Sequence, residues 1–203
     1  ETLEARYPSA DCALEYEGDP WRLLVMGRLS AQCTDARVNI VCKDLVQKFP
    51  DAQSMADAPI EDIEQLIYSC GFYHAKARNL KDFSRILIEK YQGIVPNNME
   101  DLLSLAGVGR KTANLICGDV FKKPAVVADT HLIRITNLLG LVETEDPKKT
   151  ELELKKLLPP EESNDFCHRC VLHGRAVCDS RRPKCGECVL REFCPSAEKE
   201  NEK

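Results

Sequence analysis

The chain has 203 residues, of which 43% are hydrophobic and 6% are aromatic, and its net charge is −5. This length suits one large domain or two small ones, and the hydrophobic share is enough for a buried core. No apolar run approaches the roughly 18 residues of a membrane-spanning helix, and the first residues lack the basic-then-apolar pattern of a secretory signal. The negative charge excludes a protein that binds nucleic acid over its whole surface.

Helical periodicity dominates the chain. Asp19-Pro20 predicts a capped helix start with proline in the first turn, and Thr34 predicts a second cap. In chain order, the predicted helices cover residues 20–32, 34–49, 59–70, 74–91, 99–106, 110–121, 129–139, 148–158 and 163–174. Only residues 125–128 favour an extended backbone, and the polar tail 196–203 is predicted to be disordered.

The chain contains 11 cysteines. An odd number spread over helical segments argues against a secreted disulfide scaffold and favours the reducing cytoplasm. Four of them lie in apolar helical patterns, where a thiol behaves as a small buried hydrophobe: Cys33, Cys42, Cys70 and Cys117.

Basic residues cluster despite the negative total. One cluster surrounds a glycine-rich turn and the other surrounds a cysteine-rich segment: Arg110, Lys111, Lys122 and Lys123, and Arg169, Arg175, Arg181, Arg182, Lys184 and Arg191. The acidic residues collect elsewhere, so a local basic face can bind DNA. The alternative is that both signs of charge simply cover solvated faces.

Residues 105–114 read Leu-Ala-Gly-Val-Gly-Arg-Lys-Thr-Ala-Asn. A turn through Gly107 and Gly109 into a helix leaves backbone N–H groups at a positive helix end, which suits a phosphate. Lys111 falls in the first turn, where a cation is electrostatically unfavourable and needs another reason. A nucleophilic amine must be neutral, and we expect partial burial and the charge of Arg110 to favour that form. The alternatives are an ordinary turn and a solvated lysine.

Asp129 opens the string Asp-Thr-His131 and is predicted to start the next helix. The simplest interpretation of such an aspartate is a helix N-cap. Capping is compatible with a catalytic carboxylate.

Four cysteines lie on one loop with the spacing C-x6-C-x2-C-x5-C: Cys178, Cys185, Cys188 and Cys194. Four thiolates predict a metal centre, and both zinc and an iron–sulfur cluster accept them. Cys167 and Cys170 precede the loop as a C-x2-C pair. We expect this pair to be buried in a helix, with a second metal-binding half as the alternative.

The two motifs together resemble the endonuclease III family of DNA base-excision glycosylases, over nearly the whole chain. The resemblance implies a [4Fe-4S] cluster on Cys178, Cys185, Cys188 and Cys194, with Lys111 as the nucleophile and Asp129 as the essential carboxylate. The resemblance also implies residues that contact DNA. Gln32 would fill the gap left by a flipped base, and Phe72 would be an apolar wedge. The remaining DNA-contacting residues would be Gly107, Gly109, Arg110, Arg181, Arg182 and Lys184. By composition alone, Gln32 is a helix-terminal amide and Phe72 a core aromatic.

The expected fold is all-α, a two-domain helix-hairpin-helix glycosylase with a C-terminal cluster loop. A helical-barrel domain, residues 19–124, would contain the helix-hairpin-helix at about 99–121, and residues 1–18 plus 125–203 would form the cluster domain. Lys111 and Asp129 would face each other across a cleft between them.

The expected function is that of a bifunctional glycosylase and AP lyase, acting on oxidised pyrimidines in double-stranded DNA. It would be a monomer, not membrane-bound, in the cytoplasm at the nucleoid. One alternative is a monofunctional mismatch adenine glycosylase, which Lys111 argues against. The other is a non-catalytic DNA-binding module. For the cluster itself, redox catalysis is the alternative role, and the sequence offers no second redox centre to support it.

Overall fold

The computed structural model describes residues 1–197. Within that part the chain contains α-helices, short 3-10 turns, one π turn and no strand, which confirms the all-α prediction. The helices are α1 Thr2–Arg6, α2 Pro20–Leu29, α3 Asp35–Lys48, α4 Ala52–Asp57, α5 Ile60–Ile67, α6 Tyr73–Tyr91, α7 Met99–Leu103, α8 Arg110–Leu115, α9 Thr130–Leu138, α10 Pro147–Leu157 and α11 Ser163–Ala176. None of these helices is long and apolar enough to cross a bilayer.

Side-chain caps begin the helices where the sequence predicts them. Asp19 accepts the N–H of Trp21 at 2.9 Å, and Thr34 accepts the N–H of Arg37 at 3.4 Å. A capping box between Asp51 and Ser54 starts α4, a helix that the sequence analysis missed although its Asp-x-x-Ser signal is visible. Helix α1 was also missed.

The predicted end of α2 at residue 32 is wrong. The helix ends at Leu29, Ser30 caps it with its hydroxyl on the carbonyl of Met26 at 2.8 Å, and Gln32 has a left-handed backbone that an α-helix cannot contain. Cys33 therefore lies half-buried in a turn, and its predicted burial in a helix is wrong. Cys42, Cys70 and Cys117 are buried as predicted.

The chain divides into two compact units. Residues 13–122 form one unit, and the chain on either side, 1–12 and from 123 onward, forms the other. The boundaries predicted from the sequence are residues 19 and 124. The predicted disordered tail lies outside the described residues except for Ser196 and Ala197.

Long helix α6 is the centre of the 13–122 unit. Its buried face carries Leu80, Phe83 and Leu87, and the ring of Trp21 on α2 meets Phe83 edge-on at 5.8 Å. Helices α4 and α5 pack against the same helix. This packing places the α2–α3 turn and the turn before α6 in one unit.

The other unit is built on α11, against which α1 and α9 pack. Residues 125–128, predicted as extended, form neither helix nor strand, and the N–H of Ala125 donates to the hydroxyl of Ser163 at 3.2 Å. Cys167 and Cys170 are almost fully buried in α11, as expected for that pair.

Candidate active site and metal centre

A tight turn joins α7 to α8 within the 13–122 unit. Gly107 has a φ of +73°, and a Cβ there would lie 2.6 Å from the Asn79 oxygen and 2.8 Å from Nε of Arg28. Those two side chains form a hydrogen bond with each other at 2.9 Å. The hairpin therefore rests directly on an Arg28–Asn79 pair, and only glycine fits at this point.

Lys111 lies in the first turn of α8, as predicted, and its side chain is exposed. The partial burial expected for this amine is therefore wrong for the protein by itself. The helix beneath it is fixed by packing, because a Cβ on Gly27 of α2 would come within 2.6 Å of the Thr112 methyl group. Lys111 is thus an exposed amine on a rigid support.

The predicted helix 110–121 is only partly correct. Regular α-helix ends at Leu115, and Ile116–Val120 forms a π turn in which the N–H of Phe121 donates to the carbonyl of Ile116 at 3.3 Å. Inside this turn the carbonyl of buried Asp119 accepts the hydroxyl of Tyr16 at 3.2 Å. Tyr16 therefore satisfies a carbonyl inside the widened turn.

Asp129 caps α9, which confirms the simplest interpretation of this residue. Its Oδ1 atom accepts the N–H of Leu132 at 2.8 Å, and its side chain is half-buried. Among the described residues, Oδ2 has no hydrogen-bond partner. Asp129 belongs to the unit outside 13–122 and Lys111 to the unit inside it, so their approach across a cleft stays a prediction.

Gln32 and Phe72 share an unusual backbone. Their φ angles are 54° and 47°, in the left-handed region that non-glycine residues seldom adopt. Both side chains are exposed, and Phe72 is 69% exposed, so the core-aromatic alternative is wrong. Strain of this kind is concentrated at functional sites.

Lys76 connects the bases of these two turns and was missed by the sequence analysis. Its side chain is 1% exposed, and Nζ donates to the carbonyls of Leu29 at 2.8 Å and of Cys70 at 2.7 Å. Burial lowers the pKa of Lys76, and the thiols of Cys70 and Cys33 oppose that shift. The signal was available, because residue 76 falls on the helical face that also carries Leu80, Phe83 and Leu87.

The four loop cysteines line one cavity of about 90 Å³. Short 3-10 turns at Cys185–Glu187 and Arg191–Phe193 fold the loop between successive cysteines. The N–H of Cys188 donates to the carbonyl of Cys185, and the N–H of Cys194 donates to the carbonyl of Arg191. Leu138, Val177 and Pro183 supply apolar walls. The geometry thus gathers the four predicted ligands at one place.

The donor set fits an iron–sulfur cluster. Four cysteine sulfurs line one cavity with apolar walls, and a cubane takes one thiolate on each of its four irons. Four thiolates also satisfy a single zinc ion, so the donor set alone is compatible with both.

Two side chains from other helices, neither of them predicted from the sequence, reach the cysteine loop. Arg134 on α9 donates from Nη2 to the carbonyl of Cys178 at 2.6 Å, and Nε2 of His173 on α11 lies 3.3 Å from Sγ of Cys188. Burial raises the pKa of the Cys178 thiol, and the charge of Arg134 opposes that shift. Burial lowers the pKa of His173.

The six-residue spacer after Cys178 is held by Asp179. Its Oδ1 atom accepts the N–H groups of Arg181 and Arg182 at 2.9 and 3.0 Å, and these bonds lower the pKa of Asp179. The side chains of Arg181, Arg182 and Lys184 are exposed. Their contact with DNA stays a prediction, as does that of Gly107, Gly109 and Arg110.

Family comparisons agree with both halves of this site. Residues 25–160 match the HhH-GPD superfamily of base excision DNA repair proteins, and residues 178–194 match the iron-sulfur binding domain of endonuclease III. The second match confirms the expected [4Fe-4S] cofactor over zinc.

Individual proteins agree as well. Endonuclease III of Synechocystis sp. is 46% identical over 97% of this chain and 90% of its own length, and that of Escherichia coli K12 is 36% identical over 89% and 85%. A solved endonuclease III in a non-covalent complex with DNA superposes with a TM-score of 0.93, at 39% identity, covering 99% of this chain and 94% of that one. A trapped covalent endonuclease III–DNA intermediate also gives 0.93, at 38% identity over 98% and 93%. The chain therefore belongs to the HhH-GPD superfamily and, within it, to the endonuclease III family.

Proposed function

We propose that this protein is a bifunctional DNA glycosylase and AP lyase of base excision repair, with oxidised pyrimidines in duplex DNA as substrates. The observation that carries the proposal is an exposed lysine in the first turn of the hairpin helix. It occurs in a chain that is similar to an endonuclease III captured as a covalent DNA intermediate. Lys111 is the residue in this position.

The chemistry begins with the neutral amine of Lys111. Its nitrogen forms a bond to the anomeric carbon of the flipped nucleotide while the bond to the base breaks, and the base leaves with a proton. Opening of the sugar ring gives a Schiff base, which acidifies the neighbouring carbon. Loss of that proton expels the 3′ phosphate by β-elimination, and water then releases the enzyme.

Asp129 acts on the same sugar. Its Oδ1 atom is committed to the cap of α9, which fixes the carboxylate, and Oδ2 remains for the substrate. A fixed carboxylate assists proton transfer from the nucleophile and stabilises positive charge that develops at the sugar. Because DNA binding covers both residues, we expect the amine to become buried only in the complex.

The cofactor in this scheme holds the loop in place. Cys178, Cys185, Cys188 and Cys194 would ligate the [4Fe-4S] cluster, and the fixed spacer would present Arg181, Arg182 and Lys184 to phosphates. No residue near the cavity contributes to the sugar chemistry above.

Borohydride trapping on duplex DNA with an abasic site tests the proposal. The wild-type protein should form a covalent complex and cleave the strand. Lys111→Ala should do neither and still bind the duplex, while Lys90→Ala, another exposed lysine in the same unit, should behave as wild type. Equal trapping of Lys111→Ala and wild type would overturn the assignment.

The same assay separates the alternatives. A monofunctional mismatch glycosylase would excise a base without trapping, and a DNA-binding module would bind without excision. A duplex with an oxidised pyrimidine, compared with an undamaged duplex and an adenine mismatch, identifies the substrate class.

We further propose that the protein works as a monomer in the cytoplasm, at the nucleoid DNA. Within residues 1–197, none of the 11 cysteines is joined in a disulfide, as expected for a protein of a reducing compartment. Sedimentation of the protein with and without duplex tests the monomer, and a dimer in both states would contradict it.

A further inference from the structure

A line of three side chains leads from the N-terminal helix to the cysteine loop. The hydroxyl of Tyr7, directly after α1, lies 3.1 Å from Nδ1 of His173, whose Nε2 lies 3.3 Å from Sγ of Cys188. The rings of Tyr7 and His173 meet edge-on with centroids 5.9 Å apart. His173 is only 1% exposed.

The chemistry of the two ends decides which ring nitrogen carries the proton. A metal-bound thiolate is an acceptor only, so Nε2 of His173 must be the donor toward Cys188. A buried neutral imidazole has one N–H, which leaves Nδ1 as the acceptor. The O–H of Tyr7 then donates to Nδ1 and holds the ring in the one tautomer that serves the sulfur.

Tyr7 is itself held at this position. Its backbone carbonyl accepts Nε of Arg169 on α11 at 3.3 Å, and Arg169 also lies 3.7 Å from the carboxylate of Glu4 on α1. Arg169 is nearly buried. The hydrogen-bonded line from Tyr7 through His173 to Cys188, called the relay below, is therefore held by the packing of α1 on α11. The ring of His173 has little freedom to turn away from Cys188.

We propose that Tyr7 and His173 are positioning residues that raise the reduction potential of the [4Fe-4S] cluster through a hydrogen bond to Cys188. The proposal rests on the assignment of Cys188 as a cluster ligand. An N–H donor draws negative charge from the thiolate and stabilises the reduced, more negative cluster more than the oxidised one. Hydrogen bonds to the sulfurs are one of the established controls of such potentials.

The test measures the midpoint potential, iron content and visible absorption of purified full-length variants. His173→Phe keeps a ring but removes the donor, and the reduced-to-oxidised ratio at fixed potential should fall about tenfold, which is about 59 mV for a one-electron couple. Tyr7→Phe keeps His173 but removes the hydrogen bond that fixes its tautomer. This variant should lower the midpoint potential by less than His173→Phe does. His173→Gln retains an N–H donor, so its midpoint potential should lie close to that of the wild type.

Tyr91→Phe is the matched control. It removes a tyrosine hydroxyl that donates at 2.9 Å to Asp101 in the other unit, and it should leave the potential unchanged. Wild-type potentials in both iron-loaded Tyr7→Phe and His173→Phe would overturn the proposal. If His173→Phe fails to take up iron, Tyr7→Phe decides, and a wild-type potential in that variant refutes the relay.

The outcome is distinguishable from failure of the proposed function. If purified wild-type protein contains no iron, both the cluster assignment and this inference are refuted. If the wild-type protein is trapped by borohydride as expected and the Tyr7 and His173 variants keep the wild-type midpoint potential, only the proposed relay is refuted.

Discussion

Replacing Lys76 with methionine should loosen the two turns that carry Gln32 and Phe72. Methionine has nearly the length of lysine but no charge and no donor, so the carbonyls of Leu29 and Cys70 would lose their shared partner. Both carbonyls lie at the bases of those turns. The change therefore tests whether one buried ammonium positions both of the turns that are proposed to contact DNA.

The expected loss of stability follows from the geometry. Each hydrogen bond from a charged donor contributes roughly 1.5–3 kcal/mol, and Lys76 makes two. The loss is smaller than the sum of the two bonds, because the variant no longer has to desolvate a buried ammonium when it folds. The free energy of unfolding should fall by about 3 kcal/mol, which leaves a domain of ordinary stability folded. Urea denaturation measures this loss.

Excision should fall beyond what unfolding explains. Under single-turnover conditions at low temperature, where the variant is folded, we expect the rate of base release to fall about tenfold, because misplaced turns no longer hold the nucleotide in reacting geometry. Binding to undamaged duplex should change little.

Lys81→Met supplies the matched control. Lys81 lies on the same helix, and its Nζ donates to the carbonyls of Ala56, at 2.8 Å, and Ala58, at the end of α4. This variant should lose stability comparably and keep its excision rate. The reasoning is refuted if Lys76→Met excises at the wild-type rate, or if both variants slow equally.

Four further outcomes test the site. Asp129→Asn should lose most glycosylase activity with little change in melting temperature, since asparagine also caps helices well; survival of activity would make Asp129 a cap only. Purified protein should contain about four irons per chain by elemental analysis, and one zinc without iron would contradict the cluster. Gly107→Ala should be destabilised by about 2 kcal/mol or more in urea, because the left-handed backbone and the contact with Asn79 both oppose a methyl group. Gly109→Ala, where a Cβ meets open space, should lose far less, and equal losses would exclude the seating of the hairpin on Asn79. Alanine at all three exposed spacer cations, Arg181, Arg182 and Lys184, should weaken binding to damaged and undamaged duplex alike. It should also flatten the log–log salt slope by roughly one unit per lost contact. An unchanged slope would show that these three residues are not part of the DNA-binding face.

Local signals predicted much of this fold because their physical causes are local. The caps by Asp19, Thr34 and Asp129 each bond an N–H two or three residues ahead, and such pairs are visible in sequence. The cysteine spacing likewise predicted a metal centre, since four ligands lie within one short loop, and the resemblance to endonuclease III favoured an iron–sulfur cluster over zinc.

Residues whose partners are distant in sequence escaped prediction. Tyr7 meets His173 across 166 positions, and Lys76 meets Leu29 across 47. In sequence His173 is one polar residue on a helix, and its partner thiol is set by tertiary packing alone. The π turn after Leu115 also escaped, because apolar spacing does not reveal one extra residue in a turn.

Hydropathy misassigned Phe72 for an instructive reason. A phenylalanine after an apolar helix is expected in the core, where burial would contribute roughly 1.5–3 kcal/mol. Here the ring is exposed, and its backbone adds a left-handed conformation that costs roughly 1–2 kcal/mol. Gln92 has the same backbone sign but ends α6, where such a conformation is common.

The exposed Phe72 and the buried Lys76 explain each other. The turn before α6 holds Phe72 exposed and in a left-handed backbone, and both features cost free energy. The two hydrogen bonds of Lys76 hold the carbonyls at the ends of α2 and of the 3-10 turn at Tyr68–Cys70, and their contribution is similar in size to the cost at Phe72. The buried ammonium of Lys76 thus supports the turn in which the ring of Phe72 is held in solvent, as the proposed insertion of this ring into the DNA stack requires.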